Sequence, residues 1–417
     1  MQTPSKLLVV AALFVAACSS DEESGTHGPT FGDAGDAKAD GTTSGDGGAS
    51  DASSGDAGGG DAGEDATQAD GGCSTGAIAV VGGGGSANAF ASIATGSGAF
   101  TTSSLTGGSG TIGSPVSVTA FGNGFAAVAR VDTLRATIFD GNTWSGLTAV
   151  GAIGTSDMPA LAALGTKLHV VYSGPTGDAA VDHKYFHGTY VTSWDAATDP
   201  VVSAGAQDFA PRGPSAATID GKVVIAEAGD DTNVYAHAWS GGWETVVNAT
   251  ATAPAPKAAK DVTPRIVALQ GSAAGDAMIV FVRSGDFKIS SMIRTALGAW
   301  LTPVVVDTNA FTTEGVSAAA LPGGKVIVVW RGTDTKPYYV LFNGTTWSPP
   351  TPFFTSAQPS LNGIPQVARG ICGDDAVVAY AEASASAKVT RLRGSSWSTP
   401  EALTGSSGAG EVGIATR

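Results

Sequence analysis

The sequence predicts an all-β ring of seven four-stranded antiparallel blades, a β-propeller, behind a long unstructured leader. Three observations predict it. An aromatic anchor returns about every 50 residues, at Phe100, Trp144, Trp194, Trp243, Trp300, Trp347 and Trp397, each close behind a glycine-containing turn. The intervals hold short apolar runs joined by hairpin turns, with no helical period. Residues 73–417 supply 345 residues, about 49 for each of seven units, which favours seven blades over six.

The leader comes first. Lys6 precedes an apolar run over 7–17 that is too short to cross a membrane as a helix, the pattern of a secretion signal spanning 1–18. Its end, Val15-Ala16-Ala17-Cys18, resembles the lipobox of bacterial lipoproteins. That resemblance implies cleavage before Cys18, acylation of its thiol and attachment to a membrane through the lipid. Ser19 and Ser20 follow in place of the aspartate that retains such proteins at the inner membrane, so the resemblance implies the outer membrane or cell surface.

Residues 19–72 are almost entirely Gly, Ala, Ser, Thr and Asp, with Phe31 as their only aromatic side chain. Such a segment cannot bury enough apolar surface to offset its ordering entropy, and a disordered tether is expected. It carries 13 acidic residues against Lys38, whereas 73–417 has 24 acidic and 20 basic residues, so most of the net charge of −15 belongs to the tether. No basic footprint for nucleic acid is present.

Within the ring region each unit opens on a short strand, as at 159–164 and 316–321, followed by a tight turn such as Gly165-Thr166-Lys167, Asp220-Gly221-Lys222 or Gly323-Gly324-Lys325. The second strands, 168–172, 223–226, 277–282, 326–330 and 376–380, are the most apolar, as strands covered on both faces require. A third strand, as at 337–342, enters the aromatic turn, and the tryptophan opens a more polar fourth strand. The first unit starts directly on a second-type strand at 77–81, and the chain ends on a first-type strand at 411–416. The last strand is therefore expected to complete blade 1 and close the ring, removing free sheet edges. Cys73 and Cys372 then fall at equivalent connections of neighbouring blades, and in an exported chain a disulfide between them would lock the seam.

The turns Asp140-Gly141-Asn142-Thr143-Trp144, Asn343-Gly344-Thr345-Thr346-Trp347 and Arg393-Gly394-Ser395-Ser396-Trp397 resemble the second half of the Asp-box of sialidase-like propellers. The tryptophan spacing is similar to that of fucose-lectin-like propellers. The match is partial, because an Asp-box places one residue between the aspartate and the glycine. The resemblance implies a tryptophan packed between blades, with sugar stacking as the alternative use of the ring.

Signatures of catalysis are scarce. There is no Gly-x-Ser-x-Gly elbow or Walker loop, and Gly82-Gly83-Gly84-Gly85 leads to another strand, which makes it a flexible turn and no phosphate cradle. His183 and His187 share a strand face but lie about 13 Å apart along it, too far for one metal. Asp230-Asp231-Thr232-Asn233 and Gly373-Asp374-Asp375 match no calcium loop and read as solvated turns. Arginines at 130, 212, 265, 283, 331 and 369 could supply a sialidase clamp, but Pro264-Arg265-Ile266 scrambles the motif that accompanies it. No cofactor, metal site or catalytic residue is assigned.

Three units place an arginine and an aspartate at the turn after the second strand: Arg130 with Asp132, Arg283 with Asp286 and Arg331 with Asp334. These turns share one face of a propeller with the interblade segments, such as 204–214 and 248–264. Either each arginine pairs with its own aspartate, or the three line the central mouth and bind an anionic or polyhydroxyl ligand. The expectation is a binding or scaffolding ring that recognises a glycan or a protein at the cell envelope. The alternatives are a hydrolase or lyase acting on a polysaccharide, and a purely structural envelope protein.

Overall fold

The computed structural model describes residues 76–417 apart from 85–86, 107–111, 113–115, 151–158, 174–184, 196–212, 252–254, 273 and 384–385. The expected signal segment (1–18) and tether (19–72), with Cys18, Cys73, His183 and Arg212, lie outside the described residues.

Seven antiparallel sheets follow one another along the chain. Blade 1 contains β1 (Ala77–Gly84), β2 (Ala87–Thr95) and β3 (Thr101–Ser104). Blade 2 contains β4 (Ser117–Phe121), β5 (Gly124–Arg130), β6 (Leu134–Phe139) and β7 (Thr148–Ala149). Blade 3 contains β8 (Ala160–Leu164), β9 (Lys167–Ser173), β10 (Tyr185–Tyr190) and β11 (Trp194–Asp195). Blade 4 contains β12 (Ser215–Ile219), β13 (Lys222–Ala228), β14 (Val234–Trp239) and β15 (Val247–Asn248). Blade 5 contains β16 (Arg265–Ala268), β17 (Ala277–Val282), β18 (Ile289–Arg294) and β19 (Val304–Val305). Blade 6 contains β20 (Val316–Leu321), β21 (Lys325–Arg331), β22 (Pro337–Phe342) and β23 (Thr351–Pro352). Blade 7 contains β24 (Gln366–Arg369), β25 (Ala376–Ala381), β26 (Ala387–Arg393), β27 (Ser396–Trp397) and β28 (Glu401–Ala402).

The last strand, β29 (Glu411–Thr416), returns to blade 1 and pairs with β1 from Ile78↔Thr416 to Gly83↔Glu411. The first-type strands β4, β8, β12, β16, β20, β24 and β29 each touch the next, and β29 touches β4, so the ring is closed as the sequence predicts. Each blade buries its faces only against its neighbours, which explains why the second strands β17 and β25 are buried at every position. The hydrophobic clusters are correspondingly interblade: Met278, Val280 and Val282 of blade 5 pack with Val326, Val328 and Trp330 of blade 6.

The aromatic turn follows from local chemistry. Asp140 Oδ1 accepts the amides of Asn142 and Thr143, both at 2.8 Å, and Asn343 Oδ1 accepts those of Thr345 and Thr346, both at 2.9 Å. Gly141 (φ 106°) and Gly344 (φ 105°) occupy backbone conformations that a side chain would strain. Trp194 opens the fourth strand β11 of blade 3 as expected, but blades 2 and 6 differ. Trp144 and Trp347 do not open their fourth strands but bridge back to Phe139 and Phe342, and the two-residue strands β7 and β23 pair further along. The serine after the tryptophan fills the gap: the Oγ atoms of Ser145, Ser348 and Ser398 accept the amides of Ile138, Leu341 and Arg391.

The glycine run also departs from expectation. Gly82–Gly84 belong to β1, with a register shift between Gly82 and Gly84, and do not form a flexible turn. A Cβ on Gly82 would stand 2.8 Å from both the Phe90 ring and the Glu411 carbonyl, so closure of the ring by β29 leaves no room for a side chain there.

Candidate functional site

Three regions carry polar chemistry: clefts between blades at the rim, the face bearing the turns after the second strands, and the axis.

All seven anchors are half-buried, with one part packed between blades. Trp144 packs on Val81, Ala91 and Leu105 of blade 1, and its ring lies 5.2 Å from Phe139. Trp397 stacks on Phe353 of blade 6, with centroids 4.3 Å apart and planes 14° apart, and meets Tyr339 edge-on. Trp347 donates its indole N–H to Ser291 Oγ at 3.1 Å. Trp194, Trp243 and Trp300 pack against the clusters of blades 2 and 3, 3 and 4, and 4 and 5. Phe100 packs at the seam with blade 7, where the Arg391 guanidinium lies 5.9 Å from its centroid. Each of the seven aromatic anchors thus packs against a cluster shared with a neighbouring blade.

Two of these anchors also line open clefts. Between blades 1 and 2 a cleft of about 560 Å³ is walled by Thr95, Thr101, Ser103, Thr106, Asn142 and Thr143 around Phe139 and Trp144. Its lining contains no charged side chain among the described residues. Between blades 6 and 7 a cleft of about 670 Å³ is lined by Tyr339, Phe353, Phe354, Tyr380 and Trp397, with the Glu382–Lys388 ion pair (2.8 Å) at its wall.

The turns after the second strands share a face with the interblade segments, as expected: Ser284 N donates to Lys257 O, Thr312 N to Phe287 O and Leu361 N to Thr335 O. The three Arg/Asp turns are not equivalent. Asp132 takes two charge-assisted bonds from Arg135, at 2.6 and 2.7 Å, which hold its carboxyl well below the usual carboxylate range. Arg130 has a partner of its own. Arg283 does face Asp286, at 3.4 Å. Arg331 pairs with Glu314 and donates to Leu361 O, while Asp334 accepts the Tyr338 hydroxyl at 2.9 Å. Own-turn pairing thus holds at one of the three turns, because the interblade segments and third strands bring other partners within reach. The two acidic turns are satisfied by protein groups: Asp231 accepts from Asn233 and Tyr235, Asp374 from Arg393, and Asp375 from Gly394 N.

On the axis the sheet register defines one equivalent position in each blade. Ser117, Ala160, Ser215, Arg265, Ser317, Gln366 and Ile414 pair with the corresponding residues of the second strands, and all seven line a cavity of about 160 Å³. The serines of blades 2, 4 and 6 accept the amides of Leu161, Ile266 and Val367 in blades 3, 5 and 7, at 3.1, 3.0 and 3.1 Å. Arg130, Arg283 and Arg331 are not in this lining; the arginine that reaches the axis is Arg265.

Sequence reasoning missed the histidines. His169 meets His187 across β9 and β10, His169 Nδ1 to His187 Nε2 at 2.9 Å, with rings stacked 7° from parallel against Trp239. Burial holds both rings down at about 4. In blade 4 the wholly buried Glu227 bonds His237 Nε2 at 2.6 Å, and burial pushes its carboxyl up. Among the described residues no group of three or more His, Cys, Asp or Glu could hold a metal ion.

No protein-family model and no curated protein matches the chain. Solved structures are similar in fold. AofleA from Arthrobotrys oligospora is 11% identical over 72% of this chain and 88% of its own, with a TM-score of 0.49. The SapL1 lectin in complex with alpha methyl fucoside is 14% identical over 70% and 97%, with a TM-score of 0.48. The six-bladed Aleuria aurantia lectin is 14% identical over 70% and 96%, with a TM-score of 0.46. The chain is a seven-bladed propeller whose solved neighbours include lectin propellers.

Proposed function

We propose that this chain is a glycan-binding propeller of the cell envelope, carried on the acidic tether and anchored by lipid at Cys18. The observation that supports glycan recognition is the cleft between blades 1 and 2, where aromatic rings and neutral hydroxyl and amide side chains meet. A sugar presents apolar C–H faces and hydroxyl edges. Rings such as Trp144 and Phe139 bury the former, and neutral donors and acceptors pair with the latter without the desolvation cost of a charge. The volume, about 560 Å³, lies within the range of about 300–1,000 Å³ typical of small-molecule sites. The anchoring and outer-surface location rest on the sequence alone.

A glycan array probed with the full-length protein in detergent tests the reading. Specific neutral-glycan binding that is lost in Ala99→Trp, which fills the cleft from an exposed position, supports it. Binding that survives the filling, or a protein that binds no glycan, removes it.

We also propose the Cys73–Cys372 bridge. Gly76, three residues after Cys73, packs so tightly on Ile371 that a Cβ would stand 2.9 Å from it. Intact mass after alkylation without reduction tests the bridge: blocked thiols support it, and alkylation at both cysteines refutes it.

A further inference from the structure

One of the seven axial positions is unlike the others. Serine, alanine, glutamine or isoleucine stands at six of them and Arg265 at the seventh, the one charged side chain in the cavity lining among the described residues. Its Nε donates to Val316 O of the next blade at 2.8 Å, which fixes the guanidinium plane. Its two terminal nitrogens have no protein acceptor, and no carboxylate lies within ion-pairing distance, among the described residues. Glu411 acts on it only at longer range, and burial outweighs that attraction, bringing the guanidinium down to about 10. The flanking serines add donors. Ser215 Oγ and Ser317 Oγ each accept a backbone amide, so their hydroxyl protons remain free to donate.

We propose that the axial cavity binds a compact oxyanion, held edge-on by the terminal nitrogens of Arg265 with the hydroxyls of Ser215 and Ser317 beside it. A guanidinium fixed at Nε presents the remaining fork that matches two oxygens of a carboxylate or phosphate. The cavity of about 160 Å³ has room for about five waters at about 30 Å³ each, enough for such a group with residual solvent. An arriving anion supplies the counter-charge that the enclosed cation lacks. The inference does not rest on the glycan reading, because the interblade clefts and the axis share no lining residue.

The test is calorimetric titration of the full-length protein with inorganic phosphate and, separately, acetate, at constant ionic strength. Saturable binding of phosphate identifies a tetrahedral oxyanion and of acetate a carboxylate; either supports the site. Arg265→Gln is expected to weaken binding at least about tenfold, and Arg265→Lys, which keeps the charge and loses the fork, to weaken it by less. If the glutamine variant does not fold, the lysine variant carries the comparison. No saturable binding of either anion, or variants that bind as tightly as the parent, overturns the proposal, whatever the glycan array gives.

Discussion

Acidification should unfold this ring through the interface of blades 3 and 4. His169 and His187 have folded values of about 4 against an ordinary 6.5, with burial as the main cause in both. Lys167 adds repulsion at His169, and the two rings repel each other's protonated forms. Their folded values are depressed, so the unfolded chain takes up protons first as pH falls below 6.5, and stability is lost from there down to about 4. Linkage gives about 2 kcal/mol per ring between pH 7 and pH 5, and screening together with the shared hydrogen bond brings the pair to roughly 2–4 kcal/mol. The perturbation is His187→Phe, which keeps an aromatic ring against Trp239 and Trp243 while removing one titrating group. It should lower stability at pH 7 by about 1 kcal/mol, because His169 loses its hydrogen-bond partner. The loss between pH 7 and pH 5 should fall by about half. Urea denaturation followed by tryptophan fluorescence reads both numbers. An unchanged difference between pH 7 and pH 5 refutes the assignment and moves acid sensitivity to the carboxylates.

Glu227→Gln should have the opposite sign of pH response. Burial raises the folded carboxyl above its ordinary 4.5, so its contribution is favourable at low pH and is lost as pH rises through the folded value. The glutamine variant should therefore gain stability over the parent between pH 5 and pH 8 in urea titrations; a parallel pair of curves contradicts this. Gly82→Ala should cost about 1–3 kcal/mol, because the new methyl meets the Glu411 carbonyl and not only a side chain that can swing aside; thermal melts check it. Asp140→Ala removes both turn bonds and should cost about 1 kcal/mol, whereas the same change at Asp195, where no side-chain bond occurs among the described residues, should be near neutral in the same melts.

The ring was legible because its determinants are local and repeated. Strands at 277–282, 316–321, 337–342 and 411–416 were readable with their observed bounds, since apolar runs and glycine turns need no distant partner to be recognised. Ring closure followed from two incomplete ends that complement each other. What depends on register was not legible. His169 and His187 lie 18 positions apart and meet only because β9 and β10 pair with Thr189 opposite His169. The arginines at 130, 283 and 331 look alike in sequence, yet Arg283 faces Asp286 of its own turn while Arg331 pairs with Glu314 of the interblade segment.

A repeat protein nonetheless supplies its own reference once the register is known. The residue following the axial partner is Val81 in blade 1, Ala129 in blade 2, Tyr172 in blade 3, Phe281 in blade 5, Trp330 in blade 6 and Tyr380 in blade 7, all nearly fully buried. Blade 4 places Glu227 there, and a carboxylate among buried apolar and aromatic equivalents can be held only by a dedicated partner, which His237 provides. Arg265 departs in the same way from serine, alanine, glutamine and isoleucine equivalents, but its blade supplies no such carboxylate among the described residues. The fold meets the electrostatic demand of one departure from within and leaves that of the other facing an open cavity. That asymmetry, invisible in composition or motif, is why the axis rather than the Arg/Asp turns is the place to look for a charged ligand.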